Sequence, residues 1–133
     1  DIPHFISLSE IAKSSRNKLV ELGKPQIAFL GIGTDGHTAS LFPGDYKLFE
    51  KNGNPFIIVK NKQESFHRIS LTLNFLKTSN QIAFIVSGST KSSILKKCIY
   101  GPYEPIKRPV QYLIKNYNKD LHIFCDEKAK NWN

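Results

Sequence analysis

The apolar run Ile27-Ala28-Phe29-Leu30 opens directly into a segment with glycine at positions 31, 33 and 36. This junction constrains the fold more than any other part of the chain. A short apolar run bounded by turn formers has the length and composition of a buried strand. Glycine tolerates positive φ and lets a ligand approach the backbone closely. A strand that ends in such a turn is where open α/β sheets hold their ligands. The turn also presents Asp35 and His37 before Pro43-Gly44 stops the segment. Histidine is the side chain best matched to moving protons near neutral pH, so chemistry is expected here.

Gly31-x-Gly33-x-x-Gly36 satisfies the G-x-G-x-x-G pattern of dinucleotide sites and follows a strand, but its surroundings do not fit. That fingerprint needs a long helix after the third glycine and a carboxylate at the end of the next strand. Pro43 and Gly44 leave room for about two helical turns at most. The next apolar run, Phe56-Ile-Ile-Val, ends in Lys60 and Asn61. A dinucleotide is therefore not expected, and no cofactor is.

Elsewhere, strand and helix signals alternate. Ser7-x-x-Glu10 is a capping-box pattern opening a helix with Leu8, Ile11, Ala12, Leu19 and Leu22 at apolar positions, closed by Gly23-Lys24-Pro25. Asp45 to Asn54 reads as a surface loop with a short irregular turn. Phe56–Lys60 and Arg68–Thr72 read as strands joined by the polar stretch 61–66, and Leu73–Thr78 as a helix capped by Thr72. Ile82–Ser87 is a buried strand by its apolar and β-branched bulk. A helix over Lys91–Ile99 follows, then a break at Gly101-Pro102, a short helix at Val110–Ile114 and a last strand at Leu121–Cys125. Asp126 can cap a terminal helix. The expected class is α/β: a mostly parallel sheet with helices on both faces, Rossmann-like and three-layered.

The length of 133 residues predicts one domain. No run approaches the roughly 18 to 20 apolar residues of a membrane span, so no membrane partner is expected. Asp1-Ile-Pro-His4 lacks a basic region followed by an apolar stretch, and no signal peptide is expected. Net charge is +8, but the 19 basic residues are scattered, with Lys96-Lys97 and Lys107-Arg108 the adjacent pairs. No basic stripe is interleaved with aromatics, which argues for a solvated basic surface over nucleic-acid binding. Such a field still gathers anionic substrates. Cys98 and Cys125 sit among apolar neighbours and read as buried free thiols, in keeping with a reducing cytoplasm. With His4, His67 and His122 they form no metal-ligand spacing, so no metal is expected.

His37 reads equally well as a general base or as a histidine that packs the turn. Asp35 reads as a helix N-cap or as a partner that orients His37. Gly31, Gly33 and Gly36 are expected to shape the backbone so that amides face a ligand. Thr38 and Ser40 are expected to satisfy the turn.

Leu30 to Gly44 closely resembles the signature L-G-x-G-x-D-G-H-x-A-S-L-F-P-G of 6-phosphogluconolactonases. Arg68-Ile-Ser-Leu-Thr72 is similar to that family's R-x-[ST]-L-T segment, and Gly88-Ser-Thr-Lys91 to its G-x-x-K. The resemblance implies hydrolysis of 6-phospho-D-glucono-1,5-lactone with His37 as base, Asp35 beside it, and Arg68 and Lys91 on the substrate's phosphate. The amides of Gly88 to Thr90 would face the same anion. The sister family of glucosamine-6-phosphate deaminases shares the D-G-H turn but places a glutamate just before its proline. No carboxylate occurs from Gly36 to Gly44 here, which favours the lactonase; a deaminase-like enzyme and an inactive sugar-phosphate-binding module are the alternatives. The family's glycine-rich phosphate loop and its D-E-R-like segment do not occur. The resemblance thus implies the C-terminal half of such an enzyme over residues 1–133, with an incomplete sheet and either self-association or a missing N-terminal half as partner.

Overall fold

The structure, a computed structural model, describes residues 7–51, 53–60 and 65–132. His4 and most of the stretch 61–66 lie outside them. A three-stranded parallel sheet is built from β1 (Ile27–Leu30), β4 (Gln81–Val86) and β5 (Asp120–Cys125), in the order β1-β4-β5. Between β1 and β4 the chain makes an antiparallel hairpin of β2 (Phe56–Lys60) and β3 (His67–Leu71). The helices are α1 (Leu8–Leu22), α2 (Leu73–Leu76), α3 (Ser92–Tyr100), α4 (Val110–Asn116) and α5 (Glu127–Lys130). The α/β class, the parallel sheet and the element order hold, with strand ends shifted by at most one residue, but among the described residues helices pack on one face of the sheet and not on both as expected.

Local chemistry accounts for the helix ends. Ser7 and Glu10 form the reciprocal capping box, and Gly23, at φ 75°, returns its amide to the carbonyls of Leu19 and Val20. Thr72 caps α2 by accepting from the Phe75 amide, and Asp126 caps α5 by accepting from Ala129. The apolar stripe of α1 is not buried: Leu22 is 81% exposed.

The register sorts the sheet into two unlike faces. Ile82, Phe84 and Val86 point into a core shared with Ile94, Leu95 and Cys98 of α3 and Val110 and Leu113 of α4. Full burial of such side chains contributes roughly 1.5–3 kcal/mol each. On the other face Phe29 lies beside Ala83, and Ile85 beside Phe124. There Phe29 is 66% exposed, and Ile85 and Phe124 are each 59% exposed.

The room for at most two helical turns after Gly36 is not used for a helix: Thr38 to Leu41 close a tight turn, with Ala39 at φ 50° and the Leu41 amide on the Thr38 carbonyl. Asp35 therefore caps no helix. Within residues 45–54 the expected short turn is the 3-10 turn Tyr46–Phe49, which buries Leu48. Of the cysteines, Cys98 is buried but Cys125 is exposed at the edge strand β5. Burial pushes the Cys98 thiol up to about 11, against the opposing charge of Arg108.

Candidate active site

The parallel pairing of β1 with β4 puts their carboxyl ends on one edge of the sheet, where such folds bind ligands. Two loops meet at this edge: the glycine turn after Leu30, and Gly88–Lys91 after Val86. The Lys91 ammonium donates to the Ile32 carbonyl at 2.8 Å, which ties them together. The Ser40 amide donates to the Ser70 hydroxyl at 3.2 Å and joins the turn to β3.

Inside the turn, Asp35 Oδ1 accepts from the His37 amide at 3.0 Å and lies 2.7 Å from His37 Nδ1. Partial burial pushes the Asp35 carboxyl up, but hydrogen bonds from the His37 amide and ring, and the field of the imidazole, hold it below its ordinary value. An ionised carboxylate only accepts, so the neutral imidazole carries its proton on Nδ1. Nε2 is left with a lone pair. The His37 side chain is 33% exposed, within reach of water. A base held in one tautomer beside solvent can take a proton from an attacking water.

The glycines serve this geometry sterically. A Cβ on Gly33 would lie 2.1 Å from His37 Nδ1, so only glycine leaves room for the docked ring. Gly36 stands at φ 88°, and its Cβ would come within 2.9 Å of the Arg108 side chain. Gly31 has open space around it. The expectation that these amides face a ligand is corrected for two of them: the Gly33 amide donates to the His37 carbonyl at 2.8 Å, and the Gly36 amide to the Gly33 carbonyl at 2.9 Å. Thr38, fully buried, donates to the Gly31 carbonyl at 2.9 Å and so holds the turn as expected.

Arg68 reaches the same place from β3. Its guanidinium carbon lies 5.7 Å from the centre of the Phe42 ring and 5.5 Å from that of Phe66. The Phe42 ring in turn lies 5.0 Å from the His37 imidazole. Arg68, Lys91, Asp35 and His37 thus gather around one turn. The Gly88 amide points elsewhere: it is taken by the Asp126 carboxylate, at 3.1 and 3.0 Å, so an internal anion occupies the place expected for an external one.

Sequence reasoning missed the support from the segment between α3 and α4. The Gly44 amide donates to the Ile106 carbonyl at 2.8 Å and the Val110 amide to the Gly36 carbonyl at 3.1 Å, clamping the turn at both ends. Arg108, read above as part of a solvated basic pair, is only 12% exposed and pairs with Glu104 at 2.7 Å. Lys107 first, then Arg108, hold the Glu104 carboxyl below its ordinary value. Gln111, fully buried, accepts from the Glu104 amide and donates to the carbonyls of Lys97 and Pro102. A glutamine inside an apolar helix pattern was the available signal. His122 sits exposed on β5, stacked on Phe124, and Trp132 packs edge-on against Tyr100. Among the described residues no three His, Cys, Asp or Glu side chains gather as a metal site requires, and no helix is long and apolar enough to cross a membrane.

A family model described as glucosamine-6-phosphate isomerases/6-phosphogluconolactonase matches residues 6–123. The chain is 31% identical to the 6-phosphogluconolactonase of Helicobacter pylori J99, over 76% of this chain and 48% of that one. It is 36% identical to the 6-phosphogluconolactonase of Haemophilus influenzae, over 75% of this chain and 42% of that one. Among solved structures, the devB protein superposes with a TM-score of 0.80 at 25% identity, covering 95% of this chain and 54% of that one. The chain spans about half the length of the relatives it matches. By its motif, its fold and these likenesses, the chain belongs to the family of glucosamine-6-phosphate isomerases and 6-phosphogluconolactonases.

Proposed function

We propose that the chain carries the base-bearing half of a 6-phosphogluconolactonase site, over a single domain of residues 1–133. The observation that supports this best is the Asp35–His37 pair at a strand's carboxyl end, with Arg68 and Lys91 brought to the same turn. In this reading Arg68 and Lys91 bind the phosphate of 6-phospho-D-glucono-1,5-lactone. Arg offers a planar fork of donors and Lys a compact charge. His37 Nε2 takes a proton from water as its oxygen attacks the lactone carbonyl. The tetrahedral intermediate collapses with cleavage of the bond to the ring oxygen, which receives the proton, and 6-phospho-D-gluconate leaves. Asp35 stabilises the imidazolium formed in between. Gly31, Gly33 and Gly36 form the floor of the substrate site. No metal or other cofactor enters the scheme.

A deaminase needs a second proton-handling carboxylate in the turn, and none occurs between Gly36 and Gly44. The two unpaired cysteines fit a reducing cytoplasm. The remaining wall of the site comes from the part of the relatives that this chain does not span, or from a second copy.

Calorimetric titration with 6-phosphogluconate tests the phosphate assignment. Arg68→Ala and Lys91→Ala are each expected to weaken binding by about 1.5–3 kcal/mol, as for a lost charged hydrogen bond. Unchanged affinity in both variants rejects it.

A further inference from the structure

We infer that Phe42 is a positioning residue that sets the separation between the His37 imidazole and the Arg68 guanidinium; this rests on the roles proposed for those two residues. Its ring centre lies 5.0 Å from the imidazole, tilted by 52°, and 5.7 Å from the guanidinium carbon. The base and the phosphate-binding cation therefore lean on one ring.

The ring is well placed to act as a spacer because its own position is fixed. Its neighbour Leu41 is fully buried, and Phe42 packs against the same core. The amides of Leu41 and Gly44 are tied to the carbonyls of Thr38 and Ile106. The imidazole is less secure without it. Asp35 is 50% exposed, and a contact so open to water holds its partner weakly. An aromatic wall limits the ring rotation that one hydrogen bond leaves open. A hexose phosphate separates its phosphate from its lactone carbonyl by a length set by the sugar. A rigid spacer between cation and base selects substrates of that length, and misplacement by about 1 Å can cost 10²-fold in rate.

The two contacts differ in redundancy. Arg68 has a second aromatic support in Phe66, 5.5 Å away, whereas the His37 ring contact is with Phe42. Loss of the Phe42 ring is therefore expected to disturb His37 more than Arg68, and loss of the Phe66 ring to disturb Arg68 alone.

Long-range proton–nitrogen NMR of the imidazoles in the 133-residue chain reads this without substrate, with His37→Gln assigning the signals. The wild-type chain is expected to show His37 as the Nδ1–H form. Phe42→Ala shifts the ratio of docked to undocked imidazole by roughly 2- to 12-fold toward the undocked form. Phe42→Tyr restores the wild-type pattern. Phe66→Ala leaves the imidazole pattern intact and weakens binding of 6-phosphogluconate. Should Phe42→Ala unfold, Phe42→Leu, which keeps most of the volume without the ring, decides in its place. An imidazole pattern unchanged by loss of the Phe42 ring, or changed equally by Phe66→Ala, overturns the inference. Failure of the lactonase reading would appear separately, as no catalysed hydrolysis, and would leave these spectra as they are.

Discussion

Gly31 and Gly33 stand two residues apart in one turn, yet respond in opposite ways to an added methyl group. At Gly33 the new carbon would fall 2.1 Å from His37 Nδ1, whereas at Gly31 it meets nothing within 4 Å. Gly33→Ala is expected to expel the imidazole from Asp35 and to cost roughly 1–3 kcal/mol, the usual range for overpacking. Gly31→Ala should stay within about 0.5 kcal/mol of the wild type. Urea denaturation together with imidazole NMR checks both; equal responses contradict the steric role of Gly33. The contact between Asp35 and His37 was one of the two readings the sequence offered, since a carboxylate two residues before an imidazole in a glycine turn can either orient the ring or cap a helix. Phe42 was not legible, since a phenylalanine in an apolar motif carries no mark of what its ring touches. Arg108 misled for a similar reason: adjacency to Lys107 says nothing of burial.

The elements around the turn were mostly readable from periodicity and caps; what clamps the turn was not, because those contacts come from residues 106 and 110, far along the chain. Gln111 shows how much that remote segment contributes. Its side chain satisfies the Glu104 amide and the carbonyls of Lys97 and Pro102 while fully buried. Gln111→Leu keeps the volume but orphans these groups, and each buried group left unpaired costs about 1–3 kcal/mol. A loss of at least about 2 kcal/mol in denaturant unfolding is therefore expected, with weaker clamping of the turn. A loss below about 0.5 kcal/mol contradicts the clamp.

The whole molecule presents one sheet face that nothing covers among the described residues. Ile27, Phe29, Ile85 and Phe124 lie on it, each at least 45% exposed. Apolar surface of this kind drives association. The chain alone is expected to run as a dimer or larger species in size exclusion, and Phe29→Lys with Phe124→Lys to shift it toward monomer. A wild-type monomer at high concentration contradicts this. The sequence foretold an incomplete sheet only through the resemblance, because hydrophobic pattern marks a strand as buried without saying what buries it.

The rate of 6-phosphogluconolactone opening, corrected for spontaneous hydrolysis, tests the central role of His37 most directly. The measurement uses this chain assembled with the part of the Haemophilus influenzae relative that it does not span, assembly being verified by size exclusion. Alone, the chain, which spans about half the length of its relatives, should turn over little above the spontaneous rate. The assembled enzyme should hydrolyse the lactone, and His37→Gln should lower its kcat by at least about a hundredfold, as for a lost general base. An assembled enzyme no faster than spontaneous opening, or a His37→Gln rate within a few-fold of wild type, would contradict the account.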